Sequence, residues 1–284
     1  METTSELDAV LRVLDLEAVD GGFVGQNLDE GGGVVFGGQI LGQTVVAAAR
    51  TQAGKQVQSV QTVFARSARG DQPLSIDVEE MHGGRAFGSV TVTIRQGDRI
   101  CARSLVLLHA PDPDLVRHQA EAPAIAPASE LPERGQTSWW EIRYDPAVDI
   151  SDPAAVGPAT LDVWTRFPGA PDDLTTSQAL LAYASDGFLI ATAMRPHPGV
   201  GQSLAHVSVS TTVLTQTLSF HDPFTAGDWL LLAHESPYAG RGRSYGRASV
   251  FSADGRLVAS YVQDNMLRDF PEGQAPAAGQ KATH

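Results

Sequence analysis

Two short stretches of this chain repeat each other in order and in spacing. Gly84-Arg85-Ala86-Phe87-Gly88 is followed by Gly97, and Gly242-Arg243-Ser244-Tyr245-Gly246 is followed, at the same offset, by Gly255. Each set stands at the start of a strand that ends in a glycine turn. Such a coincidence points to internal duplication. A chain of 284 residues therefore reads as two copies of one unit, each large enough to bury its own core.

The contents of the unit follow from periodicity. Leu7 to Leu16 carries apolar residues at helical spacing, with Thr4 or Ser5 as a cap. After Phe36-Gly37-Gly38-Gln39, the stretch to Arg50 is small and apolar all round, which predicts a buried helix. Val57–Phe64, Leu74–Glu80, Gly88–Ile94 and Ile100–His109 read as strands, the middle two from their alternation. The second copy offers an alanine- and leucine-rich helix over Leu174–Ala193, then strands over Val207–Phe220, Asp228–Glu235, Ser244–Ser252 and Arg256–Met266. A buried helix with antiparallel strands wrapped around it is an α+β unit. The domain boundaries expected are 1–115 and 155–270. Residues 116–154, with prolines among alanines and acids, read as a linker or a surface-hugging excursion, and 271–284 as a disordered tail.

Composition narrows the classes of function. The net charge of −13 sets aside a general nucleic-acid binder. The single cysteine, Cys101, permits no disulfide framework within one chain and no cysteine zinc cluster, and the histidines show no zinc spacing. The acidic, polar start lacks the pattern of a secretory signal, and no stretch approaches the roughly 20 apolar residues of a membrane span. The expectation is a cytoplasmic protein without a metal. With no Gly-x-Ser-x-Gly elbow, a serine hydrolase of the α/β type is not indicated.

Five segments, in order and spacing, carry a family resemblance. They are Phe36-Gly37-Gly38-Gln39 with Gly42-Gln43, Ala182-Tyr183-Ala184-Ser185-Asp186, Phe220-His221-x-Pro223-Phe224, Asp228-Trp229-Leu230-Leu231 with Glu235-Ser236, and Gly255-Arg256-Leu257-Val258-Ala259-Ser260 running into Val262-Gln263. Together they resemble the thioesterase II family, whose members are double-hotdog acyl-CoA thioesterases. The resemblance implies two fused hotdog domains and hydrolysis of acyl-CoA to free acid and CoA, with no cofactor. It implies that Asp186 takes a proton from the attacking water and that Gln263 positions that water. Independently of it, a carboxylate among Leu180, Leu181, Phe188 and Leu189 is costly unless paired or functional, and burial raises its pKa toward the range of a general base.

The chain departs from the family at one point. The family's serine or threonine, eight positions before the histidine of the Phe-His pair, is here Val213, and the aspartate two positions later is Thr215. Thr215 and Thr211 flank Val213 on the same face of a regular strand. Thr215 is the first candidate for the missing hydroxyl and Thr211 the second; Thr212 serves only if a bulge shifts the register. Amides at the start of a buried helix suit a developing oxyanion, which nominates Gly37 and Gly38. The stretch Ser236–Ala253 contains no acid and holds Arg241, Arg243 and Arg247, whose forks suit the phosphates of CoA. The alternative function is a non-catalytic acyl-CoA binder, for which Val213 is the best support. A hotdog hydratase is disfavoured, since its Gly-Asp-x-Asn-Pro-x-His setting is missing. One chain should mimic the usual hotdog dimer, leaving outer faces for a homodimer or higher oligomer.

Overall fold

The protein is described from a computed structural model covering residues 6–28, 33–135 and 137–270. The N-terminal half runs α1 (Glu6–Leu14), β1 (Glu17–Val19), β2 (Gly22–Gly25), α2 (Gly37–Ala49), β3 (Gln56–Phe64), β4 (Leu74–Gly83), β5 (Phe87–Gln96) and β6 (Arg99–His109). The C-terminal half runs β7 (Glu141–Arg143), β8 (Thr160–Arg166), α3 (Leu174–Ala184), α4 (Leu189–Met194), β9 (Val209–Phe220), β10 (Leu230–Gly240), β11 (Arg243–Ser252) and β12 (Leu257–Asp269). All twelve strands join one antiparallel sheet in the order β1-β2-β4-β5-β6-β3-β9-β12-β11-β10-β8-β7. Read outward from the β3–β9 seam, the two halves have the same strand order. This is the double hotdog that the family resemblance implies, with the internal duplication that the repeated hairpin motif marks. Gly97 and Gly255 close equivalent turns at φ +57° and +83°, a backbone region that favours glycine.

The helices explain the glycines of the first motif. α2 is buried from Gly38 to Ala48 and lies antiparallel against α3. A Cβ at Gly38 would stand 2.2 Å from the Tyr183 carbonyl oxygen, and one at Gly42 would stand 3.0 Å from that of Ala179. Only glycine lets the two backbones approach this closely. The crossing brings the start of α2 to the end of α3. The single helix expected over Leu174–Ala193 is in fact two, because Ser185-Asp186-Gly187, all weak helix formers, interrupt it.

Both halves carry a bulge at the same place. Val57 pairs with Leu108 and Ser59 with Leu107, leaving Gln58 extra; Val213 pairs with Asn265 and Thr215 with Asp264, leaving Leu214 extra. The next inward pair is Val60–Val106 in the N-terminal half and Gln216–Gln263 in the C-terminal half. One half is therefore apolar where the other is polar.

The Pro-rich stretch packs across the outer face of the C-terminal half. Ala128 and Leu131 join Trp164, Leu231 and Phe251 in a small second core. Trp164 Nε1 donates to the Ala126 carbonyl at 3.0 Å, and β7 extends the sheet beside β8. The tail expected over 271–284 lies outside the described residues. Among the described residues no helix is long and apolar enough to cross a membrane.

Candidate active site

The break between α3 and α4 places Asp186 against the first turn of α2. Its Oδ2 accepts the Gly38 amide at 3.1 Å. The residue as a whole retains part of its surface, but Oδ1 is sealed from solvent and has no partner among the described residues. Burial pushes the Asp186 carboxyl up to about 7, with the Gly38 N–H opposing part of the rise. A carboxylate poised there is half ionised near neutrality, which suits a general base.

Gln263 comes from β12, directly opposite Gln216 of β9, and both are buried. Gln263 Nε2 donates to the Ser185 carbonyl at 3.1 Å and to Gln216 Oε1 at 2.5 Å. Gln216 Nε2 donates to Ser185 Oγ, whose hydroxyl donates to the Ala182 carbonyl. The amide of Gln263 is thus clamped, with Oε1 buried and left without a partner among the described residues. Asp186 follows Ser185 in the chain, so two orphaned acceptors, Asp186 Oδ1 and Gln263 Oε1, flank one residue. Buried polar atoms are rarely left so. Gln216 was not nominated from the sequence; only the cross-strand register reveals its role.

Behind this pair, His234 is neutral. Its Nδ1–H donates to the Leu161 carbonyl at 2.8 Å, and Nε2 accepts the Tyr261 hydroxyl at 2.6 Å. Burial holds the imidazole down to about 4. Burial, and secondarily the charge of Asp186, raises Tyr261 well above its ordinary value. Phe188 packs on the His234 ring with centroids 5.5 Å apart.

The structure corrects several expectations. The bulge at Leu214 turns Thr215 to the outer face, where its hydroxyl donates to Asp264 Oδ2 at 3.2 Å. Its neighbour across the seam is the exposed Val63. Thr215 is therefore not brought to Asp186, and Thr215→Val should leave kcat and KM for acyl-CoA within about twofold of wild type, as steady-state assays will show; surface changes of this kind act weakly. Thr211 does face inward and is buried, with Oγ1 3.5 Å from His206 Nε2. The Gly38 amide is committed to the Asp186 carboxylate, so it is not free for an oxyanion. Gly37 packs directly on the carboxylate: a Cβ there would lie 2.8 Å from Oδ2. Arg241 and Arg243 are exposed at the β10–β11 turn. Arg247 is not free, because the sheet brings Glu235 to it at 2.9 Å, an acid just outside the acid-free stretch.

A cavity of about 770 Å³ adjoins the site, with Phe36, Trp139, Trp140, Tyr183, Gly187 and Phe188 on its walls. Trp139 and Trp140, from the Pro-rich excursion, meet Tyr183 edge-on at 5.9 and 5.7 Å. Trp140 is fixed by a 2.6 Å bond from Nε1 to Thr165 Oγ1. Sequence reading passed over this pair, because nothing in its local pattern says which face it covers.

Comparison with known proteins agrees with this geometry. A family model described as the acyl-CoA thioesterase N-terminal domain matches residues 26–109, and one described as the acyl-CoA thioesterase C-terminal domain matches residues 117–267. The acyl-CoA thioesterase 2 of Haemophilus influenzae is 28% identical, covering 92% of this chain and 98% of its own. The human acyl-coenzyme A thioesterase 8 is also 28% identical, covering 93% and 90% respectively. The crystal structure of an acyl-CoA thioesterase II from Mycobacterium marinum superposes with a TM-score of 0.79 at 28% identity, over 93% of this chain and 99% of that one. With both halves matched in order over most of its length, this chain belongs to the acyl-CoA thioesterase family.

Proposed function

We propose that the protein hydrolyses acyl-CoA thioesters by direct attack of water on the thioester carbonyl. The observation that carries this reading is the pair of buried, unpartnered acceptors, Asp186 Oδ1 and Gln263 Oε1. A water donating one proton to each is held with a lone pair free to attack. Asp186 takes the proton as the C–O bond forms. The tetrahedral oxyanion collapses and expels CoA as thiolate, which leaves readily and then takes up a proton. The Gly37 amide, beside the one that holds Asp186, is the helix-start donor that remains for the oxyanion. Arg241 and Arg243, at the exposed turn, are the contacts for CoA phosphates. The reaction as written needs neither metal nor cofactor, and the single cysteine fits work in the cytoplasm. Steady-state release of CoA from a panel of acyl-CoAs tests the reading: turnover is expected, and binding without release would establish the non-catalytic alternative.

The aromatic cavity takes the acyl group. Trp140→Leu removes one wall, and it should raise KM for apolar acyl-CoAs of eight or more carbons by about tenfold, about 1.4 kcal/mol of lost binding, while acetyl-CoA kinetics stay level. An unchanged chain-length profile would place the acyl group elsewhere.

The outer face of the N-terminal half presents Val63, Phe87, Leu105 and Leu107 to solvent, whereas on the C-terminal half the excursion covers Trp164, Leu231 and Phe251. A second copy of the chain is the proposed cover. Light scattering at micromolar concentration should give a dimer or higher oligomer, and a strict monomer would remove this claim.

A further inference from the structure

Val213 puts no hydroxyl at its own position on the inner face of β9, and the residue directly across the sheet from it is Asn265. Asn265 is fully buried. One end of its carboxamide reaches Ser244 Oγ, at 3.4 Å from Nδ2; the other end, Oδ1, is buried without a partner among the described residues. It stands two residues beyond Gln263 on the same strand and the same inward face. An orphaned buried amide costs about 1–3 kcal/mol.

The fold itself does not ask for that cost. The first inward pair at the bulge of the N-terminal half is Val57–Leu108, both buried. The C-terminal half keeps valine on one side of the same pair and puts asparagine on the other. Leucine evidently fills the position, so the amide answers to something other than packing.

The proton count says which end is used. A water between Asp186 and Gln263 has given both protons away, so a further acceptor has nothing to take from it. What the reaction still lacks is a second donor for the developing oxyanion beside the Gly37 amide, since the Gly38 amide is committed to Asp186. The two ends of a carboxamide have the same shape, and a half-turn about Cβ–Cγ exchanges them. In that orientation the Ser244 hydroxyl donates to Asn265 Oδ1, and the two N–H bonds of Nδ2 point to the unpartnered side.

We propose that Asn265 is a catalytic residue of this chain, donating from Nδ2 to the thioester carbonyl oxygen as it becomes an oxyanion, and so making good the polar group that Val213 cannot supply. This rests on the thioesterase reading above. During attack the carbonyl π electrons move onto oxygen as the water oxygen bonds to carbon, and Asn265 lends a hydrogen bond without transferring a proton.

The test uses the full-length protein and decanoyl-CoA. Asn265→Leu, the residue found in the other half, should lower kcat by about 100-fold, as loss of one oxyanion donor does. KM should change less than about threefold, and the thermal midpoint should not fall. Asn265→Asp, which keeps an acceptor for Ser244 but loses the donors, should lower kcat as far and also move the kcat/KM midpoint above that of wild type, by adding a second buried carboxyl two residues from Gln263 on the same face. Should the leucine variant not fold, the aspartate variant decides alone. Wild-type kcat in either folded variant, with wild-type turnover intact, overturns the proposal and leaves the thioesterase reading standing. No turnover by the wild type refutes both.

Discussion

Asp186→Asn will lower kcat for acyl-CoA hydrolysis by about two to four orders of magnitude, the usual worth of a general base, and will stabilise the protein above neutral pH. The asparagine keeps the bond from the Gly38 amide but cannot take the proton, so acyl-CoA binding should survive. The stability gain follows from the burial that tunes the base. An unfolded chain ionises Asp186 near 3.8, and the folded one near 7. Between those values the native state holds the extra proton, so stability falls as the pH rises through this window and stays reduced above it. Removing the charge relieves that loss, less the cost of a buried amide donor, for a net gain of about 1–3 kcal/mol at pH 8 and close to none at pH 5. Thermal melts at the two values check this, and equal shifts at both would mean that Asp186 is not held near 7. The same ionisation should govern catalysis in the wild type, with kcat/KM rising through about 7 to a plateau as the carboxylate forms.

Gln263→Ala should be nearly as damaging, by a different route. It removes the acceptor that fixes the second proton of the water, and misplacement of a nucleophile costs about a hundredfold in rate. It also strips donors from the Ser185 carbonyl and Gln216 Oε1, which should destabilise the fold by about 2–4 kcal/mol. Rates at saturating substrate and urea unfolding separate the two effects. In combination with Asp186→Asn, the further loss of rate should be small, because the two residues hold one water and act as a unit.

How much of this was legible in the sequence depends on the kind of feature. The paired turns at Gly97 and Gly255 require positive φ, so the duplication was legible in them, while the hotdog fold came from the family resemblance. Asp186 was legible as a carboxylate in an apolar setting, and Gln263 through the family resemblance. The bulge at Leu214 was not, because one extra residue in a strand leaves no mark in the alternation, yet it reverses the face of everything beyond it. Thr215 was misplaced for that reason alone. The glycines of Phe36-Gly37-Gly38-Gln39 announced a helix start, but only the antiparallel crossing of α2 and α3 shows that Gly38 donates to Asp186. The stretch read as a linker or a surface-hugging excursion because its prolines suppress any period; it is the second, and Trp139 and Trp140 within it wall the cavity beside the site. Glu235, at the edge of the acid-free stretch, becomes a partner of Arg247 only across the hairpin.

The central claim is that Asp186 activates a water and never carries the acyl group itself. Single-turnover hydrolysis in ¹⁸O-water, with enzyme in excess over decanoyl-CoA, tests this most directly. The account requires the label in the decanoic acid released in the first turnover, with the mass of the peptide containing Asp186 unchanged. Unlabelled acid, with ¹⁸O in the Asp186 carboxylate, would show that the carboxylate attacks the thioester and is then hydrolysed as an anhydride, and would contradict it.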